Sequence, residues 1–277
     1  MKGYSLMPTI TKISTQKRPG YYNIFLDESY AFSVTEQVLI QFELAKDKVL
    51  TKEQVETIQS AQVYSKAEQA ALNFLSYKMR SITEIKQYLA KKEYAEEVSQ
   101  QVVTRLQEMG YLDDAAYAKA FIVDSLRLKK DGPYQIMQKL KQKGVNSEIS
   151  EQQLAEVRFE DWEEVALRTI SSLVKQTAKY SKRQLETKIR QKLMARGFSG
   201  DLMTQLMQSV EVESSEDDQL IALTTQGIKA YKKFRRYPEF ERNQKIKRFL
   251  VTKGFSFTEI DQFLAGEVID LEELAQY

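Results

Sequence analysis

Two stretches of this chain concentrate the side chains that could grip phosphate groups or an acidic protein surface. From residue 175 to 196 stand Lys175, Lys179, Lys182, Arg183, Lys188, Arg190, Lys192 and Arg196 against the single acid Glu186. From residue 229 to 253 stand Lys229, Lys232, Lys233, Arg235, Arg236, Arg242, Lys245, Lys247, Arg248 and Lys253 against Glu239 and Glu241. Like charges three or four residues apart on a helix repel, so local stability does not account for such runs. Ammonium and guanidinium groups recognise phosphate and carboxylate oxygens through charge-assisted hydrogen bonds. The candidate binding residues are Lys182, Arg183, Lys188, Arg190, Lys192, Arg196, Lys232, Lys233, Arg235, Arg236, Lys245, Lys247 and Arg248. KKFRRY, within the second stretch, interleaves rings with cations. Tyr231, Phe234 and Tyr237 are read first as packing residues and second as platforms on which bases could stack.

Other chemistry is hard to build from this sequence. The chain holds no histidine and no cysteine. That removes the commonest general base, the usual triad partner and thiolate metal sites. There is no phosphate-cradling glycine loop, zinc spacing or nucleophile elbow. Asp113-Asp114 reads as a pair of helix caps rather than a metal site. The expectation is therefore a non-enzyme with no catalytic residue, cofactor or metal. Lys and Arg number 41 and Asp and Glu 39, giving a net charge of +2, so placement of charge matters more than its sum. No apolar run approaches the length of a membrane-spanning helix, and residues 1–20 lack the apolar core of a secretory signal. The chain is expected to be a cytoplasmic monomer without a membrane partner. Residues 1–6 read as an upstream extension, with Met7 as the alternative start.

The charged stretches must be positioned by something, and a repeat supplies it. IKQYLAKKEY, IMQKLKQKGV, IRQKLMARGF and IKRFLVTKGF begin at Ile85, Ile136, Ile189 and Ile246. Each has Ile, Leu four residues on, and a cation three further: Lys92, Lys143, Arg196 and Lys253. The first and second lie on one helix face and read as core. Gly144, Gly197 and Gly254 follow where a left-handed residue ends a helix; Glu93 stands there in the first copy, so that copy is expected to turn differently. A period of roughly 50 residues marks a tandem supersecondary unit, whose function lies on the extended surface it builds.

Start and stop signals make each unit helix–helix–helix. Ser81 with Glu84, Ser181 with Gln184, and Ser256 with Glu259 have the spacing of capping boxes. Pro133 suits a first helical turn, Pro238 precedes a helix, and Gly110 stops one. Val98, Val102, Leu106 and Met109 mark the third helix of the first unit. Acids gather where first helices begin: Glu160, Asp161, Glu163 and Glu164, then Glu211, Glu213, Glu216, Asp217 and Asp218. There they stabilise a helix by roughly 0.3–1 kcal/mol each.

The N-terminal stretch differs. TITKIST, GYYNIFLD and YAFSV are rich in β-branched and aromatic residues and are separated by Pro19-Gly20 and Asp27-Glu28-Ser29. They predict a three-stranded antiparallel meander. A helix follows Thr35, and a second short one follows the Thr51–Gln54 capping box. Such a module is marginal alone and is expected to cap the first repeat. The fold class is thus mainly α: tandem three-helix repeats forming an elongated curved array, with a small N-terminal β-containing module. The expected segments are 1–62, then repeats over 63–114, 115–160, 161–214 and 215–277.

GYLDDAAYAKAFIVDSLRLKKDGPYQIMQKLKQKGV, residues 110–145, resembles the RecX family, regulators of the RecA recombinase. The resemblance rests on Gly110, Tyr111, Leu112, Asp113 and Asp114, then Tyr117, Ala118, Gly132, Pro133, Leu140, Lys143, Gly144 and Val145. ITKISTQKRPGYYNIFLDESYAFSV is similar to the β-containing extension of longer members from Gram-positive bacteria. The resemblance implies binding along the RecA–single-stranded DNA filament and modulation, mostly inhibition, of its ATPase, growth and strand exchange, hence a place in recombination, DNA repair and the SOS response. It implies no catalysis by the protein itself. The alternative is a helical repeat protein that binds single-stranded or duplex nucleic acid directly.

Overall fold

The computed structural model describes residues 7–210, 215–270 and 273–274. The reading of residues 1–6 and the acids Glu211 and Glu213 lie outside these residues. The chain forms two compact units, Met1–Ala118 with Lys141–Ile149, and Lys119–Leu140 with Ser150–Tyr277.

Alternating β-branched and aromatic residues at the start of the first unit give strands β1 Ile10–Thr15, β2 Tyr21–Leu26 and β3 Ser29–Thr35. They pair antiparallel in the order β1-β2-β3, with Lys12 opposite Phe25, Phe25 opposite Tyr30, and Asn23 opposite Ser33. One face buries Ile10, Ile24, Leu26, Phe32 and Val34. Helix α1 Glu36–Gln41 starts at Thr35, whose hydroxyl accepts from the Val38 N–H.

Helix α2 corrects the expectation of a short helix after Thr51. The Thr51–Gln54 capping box is present, but the helix runs over Lys52–Leu75, 24 residues. No glycine or proline interrupts it, and its two halves meet different partners. Val55, Ile58 and Ala61 pack on the sheet; Ala67, Ala71, Leu72 and Leu75 pack on α3 Ile82–Lys91 and α4 Glu96–Glu108. Between them, Gln62 accepts from the Thr35 N–H at 2.6 Å and Ser65 meets the Thr35 hydroxyl at 2.9 Å. Met109, the C-cap of α4, is 44% exposed, and Val103 joins Val102 and Leu106 in the core.

The remaining helices are α5 Asp114–Leu128, α6 Pro133–Gln142, α7 Ser147–Ala155, α8 Phe159–Val174, α9 Lys182–Ala195, α10 Gly200–Ser209, α11 Glu216–Phe234, α12 Glu239–Thr252 and α13 Phe257–Leu264. With α2–α4 they make four consecutive triplets among the described residues. Every repeated Ile and Leu is fully buried: Ile85 and Leu89, Ile136 and Leu140, Ile189 and Leu193, Ile246 and Leu250. Burying such a side chain contributes about 1.5–3 kcal/mol, so these anchors are what each unit is built around.

The second helices of successive triplets meet end to end. In the first unit the Ser81 hydroxyl, N-cap of α3, donates to the Lys143 carbonyl at 2.6 Å. Lys143 Nζ pairs with Glu84 at 2.9 Å. In the second unit the Gly132 N–H donates to the Arg196 carbonyl at 2.7 Å and the Tyr134 N–H to the Gly197 carbonyl at 3.1 Å. The Ser181 hydroxyl donates to the Lys253 carbonyl. Each joint satisfies carbonyls that a helix end leaves without an intrahelical partner.

The glycine rule follows from these joints. Gly144 has φ +76°, and a Cβ there would lie 2.1 Å from Thr83 Oγ1 on the facing helix. Glu93 does not turn differently: its φ is 64°. It is exposed, and the first triplet has no earlier second helix to press against it, so a side chain is tolerated. The Ser181–Gln184 box is only half formed. Ser181 accepts from the Gln184 N–H, while Gln184 Oε1 is buried without a hydrogen-bond partner.

Candidate partner-binding surface

On α9 the buried stripe Leu185, Ile189 and Leu193 divides the cations between two flanks. Residues four and seven apart share a helix side, so Lys188 and Lys192 stand on one flank and Arg183 and Arg190 on the other. Lys188 lies over the Tyr180 ring at 4.7 Å, and Lys192 Nζ donates to Ser172 Oγ at 3.2 Å. Arg183 and Arg190 are exposed, as is Lys182 in the first turn. Arg196 closes α9, and its backbone carbonyl belongs to the joint with Gly132.

The joint at Ser181 creates a cleft of about 400 Å³ across the start of α9. Arg183, Gln184, Thr187, Lys188 and Gln191 line one side; Val251, Thr252, Lys253 and Gly254 line the other. Lys253 closes the second cation run and marks the repeat but is not among the candidate binding residues, so its place beside Arg183 and Lys188 is new. Its recurrence as the cation that ends each second helix was the available signal.

A second concavity, about 480 Å³, is lined by Lys232, Lys233, Arg235 and Arg236. Lys232 and Lys233 sit in the last turn of α11, and Arg235 caps it. Cations are favoured at a helix C-terminus, which lets the sequence tolerate the cluster. Tyr231 and Phe234 pack against the core of the fourth triplet, whereas Tyr237 is 41% exposed with Lys245 over its ring at 4.3 Å.

On α12 two candidates already hold acids. Lys245 pairs with Glu241 at 3.4 Å and Lys247 with Asp261 at 2.6 Å. Arg248 is exposed, opposite the buried Ile246 and Leu250. Of the candidates, Arg183 and Lys188 line the α9–α12 cleft and Lys232, Lys233, Arg235 and Arg236 line the concavity at the end of α11; Lys182, Arg190, Lys192, Arg196, Lys245, Lys247 and Arg248 line neither.

The residues of the 110–145 motif do something else. Leu112 is buried. Asp113 caps α5, accepting from the Ala115 N–H at 2.7 Å. Asp114 reaches across to accept from the Ile82 N–H, the first of α3, at 3.0 Å. Gln219 of α11 does the same for the Lys182 N–H of α9 at 3.1 Å. Burial pushes the Asp114 carboxyl above its ordinary range. Burial, with the charge and hydrogen bond of Glu84, pushes the Tyr117 hydroxyl up to about 12. Asp114 thus ties the start of α5 to the start of α3. Among the described residues no helix is long and apolar enough to cross a membrane, and no group of three or more acids is placed to hold a metal ion.

Family models match the chain in four places. The regulatory protein RecX N-terminal domain matches residues 8–51. The first, second and third RecX three-helix domains match 67–106, 113–154 and 216–264. The third falls on α11–α13, so α8–α10 form a further triplet between matched domains. A regulatory protein RecX of Lactobacillus johnsonii is 47% identical over 98% of this chain and 100% of its own length. That of Bacillus subtilis is 37% identical over 94% and 99%. A crystal structure of a regulatory protein RecX superposes with a TM-score of 0.64 at 33% identity, covering 73% of this chain and 100% of the other.

Proposed function

We propose a function from one premise: the chain belongs to the RecX family of regulatory proteins. It is a non-catalytic regulator that binds the RecA–single-stranded DNA filament and restrains its ATP hydrolysis, growth and strand exchange. The third and fourth repeats, residues 161–214 and 215–277, carry the contact through Arg183 and Lys188 with Lys253, and through Lys232, Lys233, Arg235 and Arg236.

One observation carries this reading. The concavity at the end of α11 is lined by four cations and no acid. A helix dipole favours cations there, and cations gathered in one concavity raise the local positive potential that draws anions to it. Phosphate oxygens or clustered carboxylates of a filament are such anions.

The test replaces Lys232, Lys233, Arg235 and Arg236 together by Gln, which removes charge without opposing the helix dipole. RecA ATP hydrolysis on single-stranded DNA is titrated with each protein at two salt concentrations, alongside a gel shift on the same DNA without RecA. The parent protein inhibits hydrolysis at concentrations too low to shift bare DNA. The variant loses that inhibition while its thermal midpoint stays within a few degrees. Unchanged inhibition by the variant removes the cluster from the interface. Inhibition only where bare DNA is already coated, with a steep salt slope, replaces filament recognition by direct nucleic-acid binding.

A further inference from the structure

The sheet's second face is unlike the outer face of an ordinary three-stranded meander. With one side on a core, the other is expected to be polar. Here Lys12, Phe25 and Tyr30 form a row across all three strands. Phe25 and Tyr30 meet edge to face at 5.9 Å, and Tyr30 is 52% exposed. Lys12 Nζ lies over the Phe25 ring at 5.4 Å. Tyr21, four residues along the strand from Phe25 and on the same face, carries Arg18 over its ring at 4.4 Å. Between the rings a hydrogen-bonded patch is fixed in place. Gln16 Nε2 donates to Asn23 Oδ1 at 2.6 Å and to Ser33 Oγ at 2.8 Å, and the Tyr30 hydroxyl meets Ser33 Oγ at 2.9 Å.

We propose that this face, built on Tyr21, Phe25 and Tyr30 with Lys12 and Arg18, is a stacking platform for single-stranded DNA. Rings on an open sheet offer their faces to unpaired bases, whatever the base. Lys12 and Arg18 are exposed, and each can leave its ring for a phosphate as a base takes its place. Two acids lie at the β2–β3 turn; the Thr9 N–H occupies Asp27 Oδ1 at 3.0 Å, and Glu28 is exposed in a left-handed turn. A protein partner would also meet exposed rings, but the pairing of each outer cation with a ring fits alternating bases and phosphates better. The platform lies outside the cation clusters of the third and fourth repeats, so the two surfaces fail or stand separately.

The experiment uses the full chain and a fluorescein-labelled oligothymidylate, read by anisotropy, with a duplex of mixed sequence for comparison. Tyr30→Ser is exposed enough to leave the fold intact. It is expected to weaken single-strand binding by about tenfold, the usual loss for one stacking ring, and to leave duplex binding unchanged. Tyr30→Phe keeps the ring and retains binding. Lys12→Gln with Arg18→Gln lowers the salt dependence. Cross-linking to an oligonucleotide containing bromouracil labels the peptide spanning residues 21–30. Equal losses on single-strand and duplex, no loss for Tyr30→Ser, or cross-links confined to α9–α13 would each overturn the platform. So would loss of filament inhibition in Tyr30→Ser with unchanged single-strand affinity, which would assign the face to a protein partner.

Discussion

Replacing Gly144 by Ala separates the two reasons for a glycine at the helix joint. Its φ of +76° lies in the left-handed region, as does that of Gly110 at +73°. An L side chain there costs about 1–2 kcal/mol. A Cβ added at Gly110 meets nothing within 4 Å, so Gly110→Ala incurs that cost alone. At Gly144 the new Cβ would lie 2.1 Å from Thr83 Oγ1, 2.4 Å from Thr83 Cβ and 2.6 Å from Thr83 Cγ2. Rotating Thr83 cannot move its own Cβ, so the first turn of α3 must shift. Overpacking of this kind costs a further 1–3 kcal/mol or so. Gly144→Ala should therefore lose roughly 2–5 kcal/mol against roughly 1–2 for Gly110→Ala. In thermal melts followed by far-ultraviolet circular dichroism, that gap lowers the Gly144→Ala midpoint by roughly 2–12 °C below that of Gly110→Ala. Adding Thr83→Gly closes a double-mutant cycle whose coupling should reach about 1 kcal/mol. Equal midpoints for the two alanine variants, or zero coupling to Thr83, would refute the close joint.

Two further predictions concern the same scaffold. Burial pushes the Glu84 carboxyl up, but the hydrogen bond from Lys143, the Ser81 N–H and the charges of Lys143 and Arg80 outweigh it and hold the group below its ordinary 4.5. Stability from such a group is full above the unfolded value and is lost as pH falls through the lower folded value. Melts below pH 4.5 should therefore fall more steeply for the parent than for Glu84→Gln; superimposable acid limbs would remove this pair from the joint. Gly227 lies inside α11, where Ala in place of Gly ordinarily stabilises by about 0.5–1 kcal/mol. Here a Cβ would lie 2.2 Å from Cζ of the fully buried Phe263. Urea denaturation should show Gly227→Ala destabilised by about 1–3 kcal/mol, with part recovered by Phe263→Leu; a stabilised Gly227→Ala would contradict the close approach.

Much of the fold was legible because the anchors are local. Ile85 and Leu89, and their three counterparts, declare a helix face from spacing alone, and all are buried. The three strands were legible from alternation and from the two turns between them. What sequence spacing could not carry is contact between distant residues. Ser81 reads as a cap for Glu84, yet its hydroxyl also donates to Lys143, 62 residues away. Asp114 reads as a cap for its own helix, yet it serves α3. The helix after Thr51 reads as short because its apolar positions change direction halfway, as they must when one helix serves two cores. The cation runs were plain, but a run does not reveal that α9 splits its charges between two flanks or that Lys247 is held by Asp261. The platform residues were visible only as strand formers, since alternation marks a face without saying what covers it.

The single helix α2 has a consequence for how the N-terminal part of the chain melts and can be trimmed. Its first half completes the sheet's core and its second half completes that of the first triplet. Helical hydrogen bonds propagate along the shared rod, so fraying at one end weakens the template for the other. The sheet and the first triplet are therefore expected to open as one cooperative foldon in hydrogen exchange, with protection along α2 rising and falling as a block. A cut at residue 62 would leave each fragment half of a rod whose partner surface had gone with the other.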